Sequence, residues 1–259
     1  MIFTADIGNT NIVLGGFEAG ILRLVLRLPS DRQRGAAAYV RDFRHLLSAK
    51  KISPENAEGC IISSVVPELQ SVLSAALWEL TGKIPLLVDA NMDSGLVIRH
   101  YDASQLGNDR IADAVAALAQ YKPPIAIFDM GTATTLSVLD CEGCLIGGMI
   151  MPGLRLALEA LSSRAAQLPP IELAAPKQLL GTDAISCMQS GAIYGTAAML
   201  DGLTTQVEAE LGKSVAMVVT GGLSTCVIPY CHHMVHHEEN LLLHGLHLLF
   251  RRNSKNRSD

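Results

Sequence analysis

Aromatic residues are scarce in this sequence, at 4% of 259 residues, and no basic stripe with interleaved aromatics occurs. With a formal net charge of −5, the chain offers little to a nucleic acid. Long apolar runs are missing too, and nothing approaches the ~20 residues that a membrane span requires. The opening Met1-Ile2-Phe3-Thr4-Ala5-Asp6 has no basic segment ahead of an apolar one, and a carboxylate interrupts the run. The expectation is a cytoplasmic protein with neither a nucleic-acid nor a membrane partner. The six cysteines are few for this length and read as free thiols. Cys141-Glu142-Gly143-Cys144 has a ligand-like spacing, but a zinc site would need a second half from Cys226, Cys231, His232, His233, His236 and His237. A hairpin turn at Glu142-Gly143 explains the first pair more simply, so no zinc is expected. The basic Arg251-Arg252-Asn253-Ser254-Lys255 reads as a solvated terminus.

Hydrophobic residues make up 49% of the chain and charged residues 17%, enough for one large core or two compact lobes. Apolar spans at 2–5, 12–17 and 21–28, separated by turn residues, predict three consecutive antiparallel strands. Ser30 is the predicted cap of a helix reaching residue 49. Buried strands are expected at 60–66 and 84–88, with a helix over 68–80 between them. The pattern then restarts. Residues 125–128 form an apolar strand, and two further strands follow at 136–139 and 145–150. Helices are expected at 154–166, 184–211 and 241–251, and a last strand at 215–219. A weak internal repeat of about half the chain predicts an α/β protein of two similar lobes, 1–120 and 121–259. The segment 91–105 takes no regular assignment, and a loop of that length within a compact domain usually has a function.

Three segments carry chemistry. Asp6-Ile7-Gly8-Asn9-Thr10-Asn11, continuing into Ile12 and Val13, ends one strand and turns tightly into the next. Amides of such a turn, with the Asn9 and Thr10 side chains, suit phosphate oxygens, and Asp6 suits Mg²⁺, directly or through water. Asp129-Met130-Gly131-Thr132-Ala133-Thr134-Thr135 repeats the arrangement with three hydroxyls. Val218-Val219-Thr220-Gly221-Gly222-Leu223 offers paired glycines at a strand end, where a flat base can approach the backbone. Each segment alone also reads as an ordinary turn. No lysine lies in any of the three, and no Gly-Lys-Ser/Thr follows, which sets them apart from a P-loop.

In this order the three motifs resemble the superfamily of acetate and sugar kinases, heat-shock chaperone ATPases and actin. Four further segments resemble type III pantothenate kinase. They are Gly107-Asn108-Asp109-Arg110, Gly147-Gly148-Met149-Ile150-Met151-Pro152-Gly153, Gln189-Ser190-Gly191-Ala192-Ile193-Tyr194-Gly195 and Asn240-Leu241-Leu242-Leu243-His244-Gly245-Leu246. The resemblance implies a duplicated ribonuclease H-like, actin-type ATPase fold with ATP in the cleft between lobes. It also implies transfer of the γ-phosphate of ATP to pantothenate, the first step towards coenzyme A.

By the same resemblance, ATP is bound by residues 6–13, Thr132, Gly221 and Gly222. Asp109 is the catalytic base, for which the alternative reading is a cap on the following helix. Arg110 binds the pantothenate carboxylate, the alternative being a surface ion pair with Asp113. Tyr101, Gly107, Asn108, Thr182 and Ala184 are the remaining substrate positions. At Ala184 the family usually has threonine, so either Thr182 replaces the missing hydroxyl or substrate binding weakens. Asp129 corresponds to the ligand of a monovalent cation, K⁺ or NH₄⁺, and could instead assist Mg²⁺. A homodimer is implied, compatible with the small and apolar residues of 184–200. At His236-His237-Glu238-Glu239 the family tends to have a turn resembling Asp-Pro, and here a solvated helix lead-in is expected. The competing readings are a same-fold kinase of another small hydroxyl or carboxylate substrate, and a non-catalytic nucleotide-binding regulator.

Overall fold

Two five-stranded mixed sheets carry the chain, and both follow one topology. The protein, described here from a computed structural model over residues 1–89, 91–102 and 105–254, divides into two units. Unit 1 comprises Met1–Leu96, Asp102–Ala116 and the chain from Leu241 onward; unit 2 comprises Val97–Tyr101 and Ala117–Asn240.

In unit 1, β1 (Ile2–Ile7), β2 (Asn11–Glu18) and β3 (Ile21–Pro29) form an antiparallel meander, and β4 (Gly59–Ser64) and β5 (Leu86–Leu87) add parallel strands beyond β1. Ala19 and Gly20 have φ of 51° and 80°, the left-handed pair that turns a two-residue hairpin into the twist of its strands. The first α-helix, α1 (Ala36–Ala49), brings Tyr39, Phe43 and Leu47, one turn apart, onto a face of this sheet. Helix α2 (Pro67–Thr81) adds Leu69, Leu73, Ala76 and Leu77. They meet Phe3, Ala5 and Ile7 of β1. Side chains alternate along a strand, so Ile2, Thr4 and Asp6 point the other way. There Ile2, Phe17 and Ile61 pack with Ala112 of α3 (Asn108–Gln120) and with Leu243, Leu246, Leu249 and Phe250 of α7 (Leu241–Ser254). A β-carbon on Gly59 would lie 2.4 Å from the Phe250 ring, so α7 seats where β4 has no side chain.

Unit 2 repeats the plan with β6 (Ile125–Met130), β7 (Ala133–Leu139) and β8 (Leu145–Pro152) as the meander, and β9 (Ala216–Thr220) and β10 (Val235–His237) as the parallel pair. Helices α4 (Leu154–Arg164), α5 (Ala184–Leu211) and α6 (Ser224–Val227) cover one face through Leu154, Ile193, Ala197, Leu200 and Val227, against Phe128, Met130, Leu136 and Val219. The turn after β7 is held by Asp140, whose Oδ1 accepts the Glu142 and Cys144 amides at 2.9 Å each. Cys141 and Cys144 are therefore residues of a hairpin, one exposed and one buried. No helix is long and apolar enough to cross a membrane among the described residues.

Four expectations need correction. Ser30 does not cap α1; Gly35 takes that position, because Ser30 is engaged by the first motif (below). The strand expected at 84–88 shrinks to two residues. Residues 235–237 form edge strand β10 rather than a helix lead-in, with Tyr121 hydrogen-bonded to Glu238 and its ring 4.7 Å from that of His236. Burial and this carboxylate push the Tyr121 phenol up to about 12. Arg251 and Arg252 belong to the last turn of α7, where cations suit the helix dipole. They pair with Glu58 at 3.2 Å and Asp93 at 2.9 Å, while Lys255 lies outside the described residues.

Candidate active site

Asp6 is the fifth residue of β1 and Asp129 the fifth of β6, and the two strands share one burial pattern, both aspartates being half-buried. The sequence repeat is thus a repeat in position. After β1 the Gly8 amide donates to the Asn11 carbonyl at 3.0 Å, leaving Asn9, Thr10 and Asn11 exposed. Ser30 reaches back to this turn: its hydroxyl donates to the Gly8 carbonyl at 2.6 Å and its amide to the Thr10 carbonyl at 2.9 Å. Two oxygens that would repel a phosphate are thereby engaged. The local context of Ser30 reads as a helix cap, and only these contacts tie it to the turn.

The second turn is one residue shorter, with Met130 opposite Thr134 where the first has Ile7 opposite Ile12. The Gly131 amide donates to the Ala133 carbonyl at 3.0 Å, and Gly131 and Thr132 are exposed. Two other motifs come to it. A β-carbon on Gly153 would lie 2.2 Å from the Thr132 carbonyl oxygen, and its amide donates to that oxygen at 3.1 Å. Gly221 has φ of 93°, and a β-carbon there would lie 2.6 Å from the N, C and O atoms of Met130. Only glycine permits either approach.

Gly221 is held from behind. The buried Ser224 hydroxyl donates to the Gly221 carbonyl at 2.7 Å, and His237 Nε2 lies 2.9 Å from Ser224 Oγ. Since the Ser224 proton is committed to Gly221, His237 is the donor in that contact. Nothing local in the sequence marks Ser224 or His237 as a pair. Ser224→Ala is expected to lower the melting temperature by roughly 1–6 °C, the loss of one neutral hydrogen bond of about 0.5–1.5 kcal/mol. A thermal melt checks this.

Asp109 lies in the first turn of α3, which opens at Asn108, so Gly107 holds the cap position and the capping alternative for Asp109 is set aside. Its Oδ1 accepts the Arg110 amide at 2.8 Å and sits 2.3 Å from where a Gly107 β-carbon would be. Asn108 ties this end of α3 to the Val88 carbonyl at 2.8 Å. Arg110 is 5% exposed and so not a surface residue, and Asp113 is buried too. Tyr101, half-buried, ends a segment clipped to β8 by hydrogen bonds between Arg99 and Leu145 and between Leu145 and Val97, each 2.8 Å. Arg99 also pairs with Glu142 at 2.7 Å.

Ala184 opens α5 and is exposed, as is Thr182. Asp183 caps the helix by accepting the Ser186 amide at 2.9 Å. The Cys/His run is dispersed. Asp201 accepts the amides of His232 and His233 and faces the His233 ring at 3.1 Å; these bonds outweigh its burial and lower its pKa. Burial pushes the Cys231 thiol up to about 11. No group of three ligating side chains could hold a metal ion among the described residues.

The sequence profile of type III pantothenate kinase matches residues 2–206. The chain belongs to that family. A type III pantothenate kinase of Moorella thermoacetica is 36% identical over 254 residues, covering 98% of this chain and all of that one. Among solved structures, a conserved Campylobacter jejuni protein assigned to the Baf family of transcriptional activators superposes with a TM-score of 0.61 at 16% identity, covering 98% of this chain and 99% of that one. A ROK hexokinase of Thermus thermophilus gives 0.54 at 16%, with the same coverage. At such identities these two show the fold alone, one shared with that hexokinase.

Proposed function

We propose that this chain is an ATP-dependent pantothenate kinase, forming 4'-phosphopantothenate in the first step of coenzyme A synthesis. The observation that carries this reading is family membership over nearly the whole chain. The pantothenate hydroxyl oxygen forms a bond to the γ-phosphorus while the bond to the bridging oxygen breaks, ADP leaves, and Asp109 takes the hydroxyl proton. A carboxylate suffices, because phosphoryl transfer depends on positioning and charge neutralisation more than on a strong base. Arg110 holds the pantothenate carboxylate with its planar fork, and Tyr101, Gly107, Asn108, Thr182 and Ala184 complete the substrate contacts. Residues 6–13, Thr132, Gly221 and Gly222 bind ATP.

Asp6 would hold Mg²⁺ through water, and the buried, unpartnered hydroxyl of Ser63, in register with it, fits a hydrated ion there. When bound, the cations neutralise phosphate charge in motifs that lack lysine. Asp129 would hold K⁺ or NH₄⁺; it lies in register between Thr135 and Thr220, a set of oxygen-bearing side chains that suits a hard cation. The exposed Ile150, Leu156, Leu161, Leu179, Leu180 and Ile185 of unit 2 support a homodimer.

The test is ATP consumption with pantothenate, in K⁺ and in Na⁺ buffers. Turnover is expected with pantothenate and K⁺, falling at least several-fold in Na⁺. Equal rates in both buffers would remove the cation role from Asp129. Turnover with another hydroxyl acid but not pantothenate would replace the substrate, and ATP binding with no turnover of any would favour a regulator.

A further inference from the structure

The parallel register of β1 and β4 pairs Asp6 with Ser63. Paired residues on neighbouring strands, about 4.8 Å apart, share a face of the sheet. Cys60 and Ile62 of β4 face α1 and α2, while Ile61 faces α3 and α7. Ser63 therefore lies on the Ile61 face, the face of Asp6 and Thr4. It is fully buried, and its Oγ has no hydrogen-bond partner among the described residues; the same holds for Thr4 Oγ1. A buried hydroxyl left unpaired costs about 1–3 kcal/mol, so Ser63 Oγ, in register with Asp6, calls for a polar guest. The neighbouring Ser64 differs: its hydroxyl donates to the Val66 carbonyl at 3.0 Å and accepts the Val66 amide at 3.1 Å.

Unit 2 repeats the juxtaposition. The β6–β9 register pairs Asp129 with Thr220, again a buried hydroxyl residue across a parallel ladder from the motif aspartate. The strands differ in sequence, Gly-Cys-Ile-Ile-Ser-Ser against Ala-Met-Val-Val-Thr, yet the hydroxyl falls at the fifth position of both. In both sheets a hydroxyl residue thus stands at the parallel-ladder position beside the aspartate.

We propose that Ser63 is a positioning residue for the metal side of the nucleotide site, its hydroxyl hydrogen-bonding the water shell of a divalent cation at Asp6. The proposal rests on the kinase reading above and adds a residue to it. A small hard cation such as Mg²⁺ gives up its water reluctantly, so its protein partners include groups that hold the water rather than the ion. Ser63 suits that task because its hydroxyl can both donate and accept.

The test compares Ser63→Ala and Ser63→Thr with the unsubstituted protein by calorimetric titration of ATP, with excess Mg²⁺ and with EDTA. Ser63→Ala is expected to weaken ATP binding about two- to tenfold in Mg²⁺ and to leave it unchanged in EDTA. Its melting temperature should hold or rise, since an unpaired hydroxyl has been removed from the interior. Ser63→Thr, which keeps the hydroxyl, should restore the Mg²⁺-dependent difference. If Ser63→Ala binds ATP normally in Mg²⁺, as it would if the hydroxyl merely held a structural water, the proposal is overturned while the kinase reading stands. Equal weakening in Mg²⁺ and EDTA also overturns it, by pointing to a distorted turn. If the unsubstituted protein binds no ATP in either condition, the kinase reading fails and takes the proposal with it.

Discussion

Asp109→Asn is expected to fold as the parent does and to lose turnover by at least about a hundredfold, the lower range for a general base. The Arg110 amide donates to Asp109 Oδ1, and the oxygen of an asparagine amide can accept the same bond. The side chain therefore keeps its anchor at the start of α3 and loses only its capacity to take a proton. Losing a negative charge from the first helical turn costs about 0.3–1 kcal/mol, a small shift in melting temperature. The measurement is kcat beside a thermal melt. A variant that retains kcat within tenfold would remove Asp109 from the chemistry.

Gly221→Ala should have the second large effect, on stability and on ATP together. A φ of 93° strains any side-chain-bearing residue by roughly 1–2 kcal/mol. The added carbon would also press on Met130 backbone, which cannot rotate away as a side chain could, for roughly a further 1–3 kcal/mol. At 2–4 °C per kcal/mol the melting temperature should fall by roughly 4–20 °C. Relief would have to come from moving Met130 and the turn that follows it, so ATP affinity should fall as well. Gly222→Ala is the control: open space surrounds its would-be β-carbon, so stability should hardly change. A KM increase for ATP in Gly222→Ala alone would then report the base approaching the backbone there. Equal melting temperatures for the two variants would refute the packing argument.

The parts of this protein that were legible in its sequence are those in which neighbours along the chain do the work. The apolar runs around Glu18-Ala19-Gly20 mark a hairpin, and Asp-x-Gly after an apolar strand marks both turns. Where a residue answers to a distant one, the local signal misleads. Ser30 has the residue type of a helix cap, but a carbonyl 22 positions earlier competes for its hydroxyl and wins. Ser63 and Ser224 look like filler until strand register or a left-handed glycine gives them a neighbour. β10 is three residues long and carries two histidines, too short and polar to announce a strand; its backbone pairing with β9 alone makes it one. Gly153 was visible as part of a family motif, but its purpose, closeness to the Thr132 carbonyl, is a matter of distance.

The placement of α7 has a consequence for synthesis. Ile2, Phe17 and Ile61 are covered on one side by α7, which is translated only after the contiguous stretch Ala117–Asn240 of unit 2. On the ribosome, where domains ordinarily form in the order they emerge, the earliest strands of this chain wait with one greasy side bare while the later unit already has all its own helices. The oldest part of the nascent chain is thus the last to be finished.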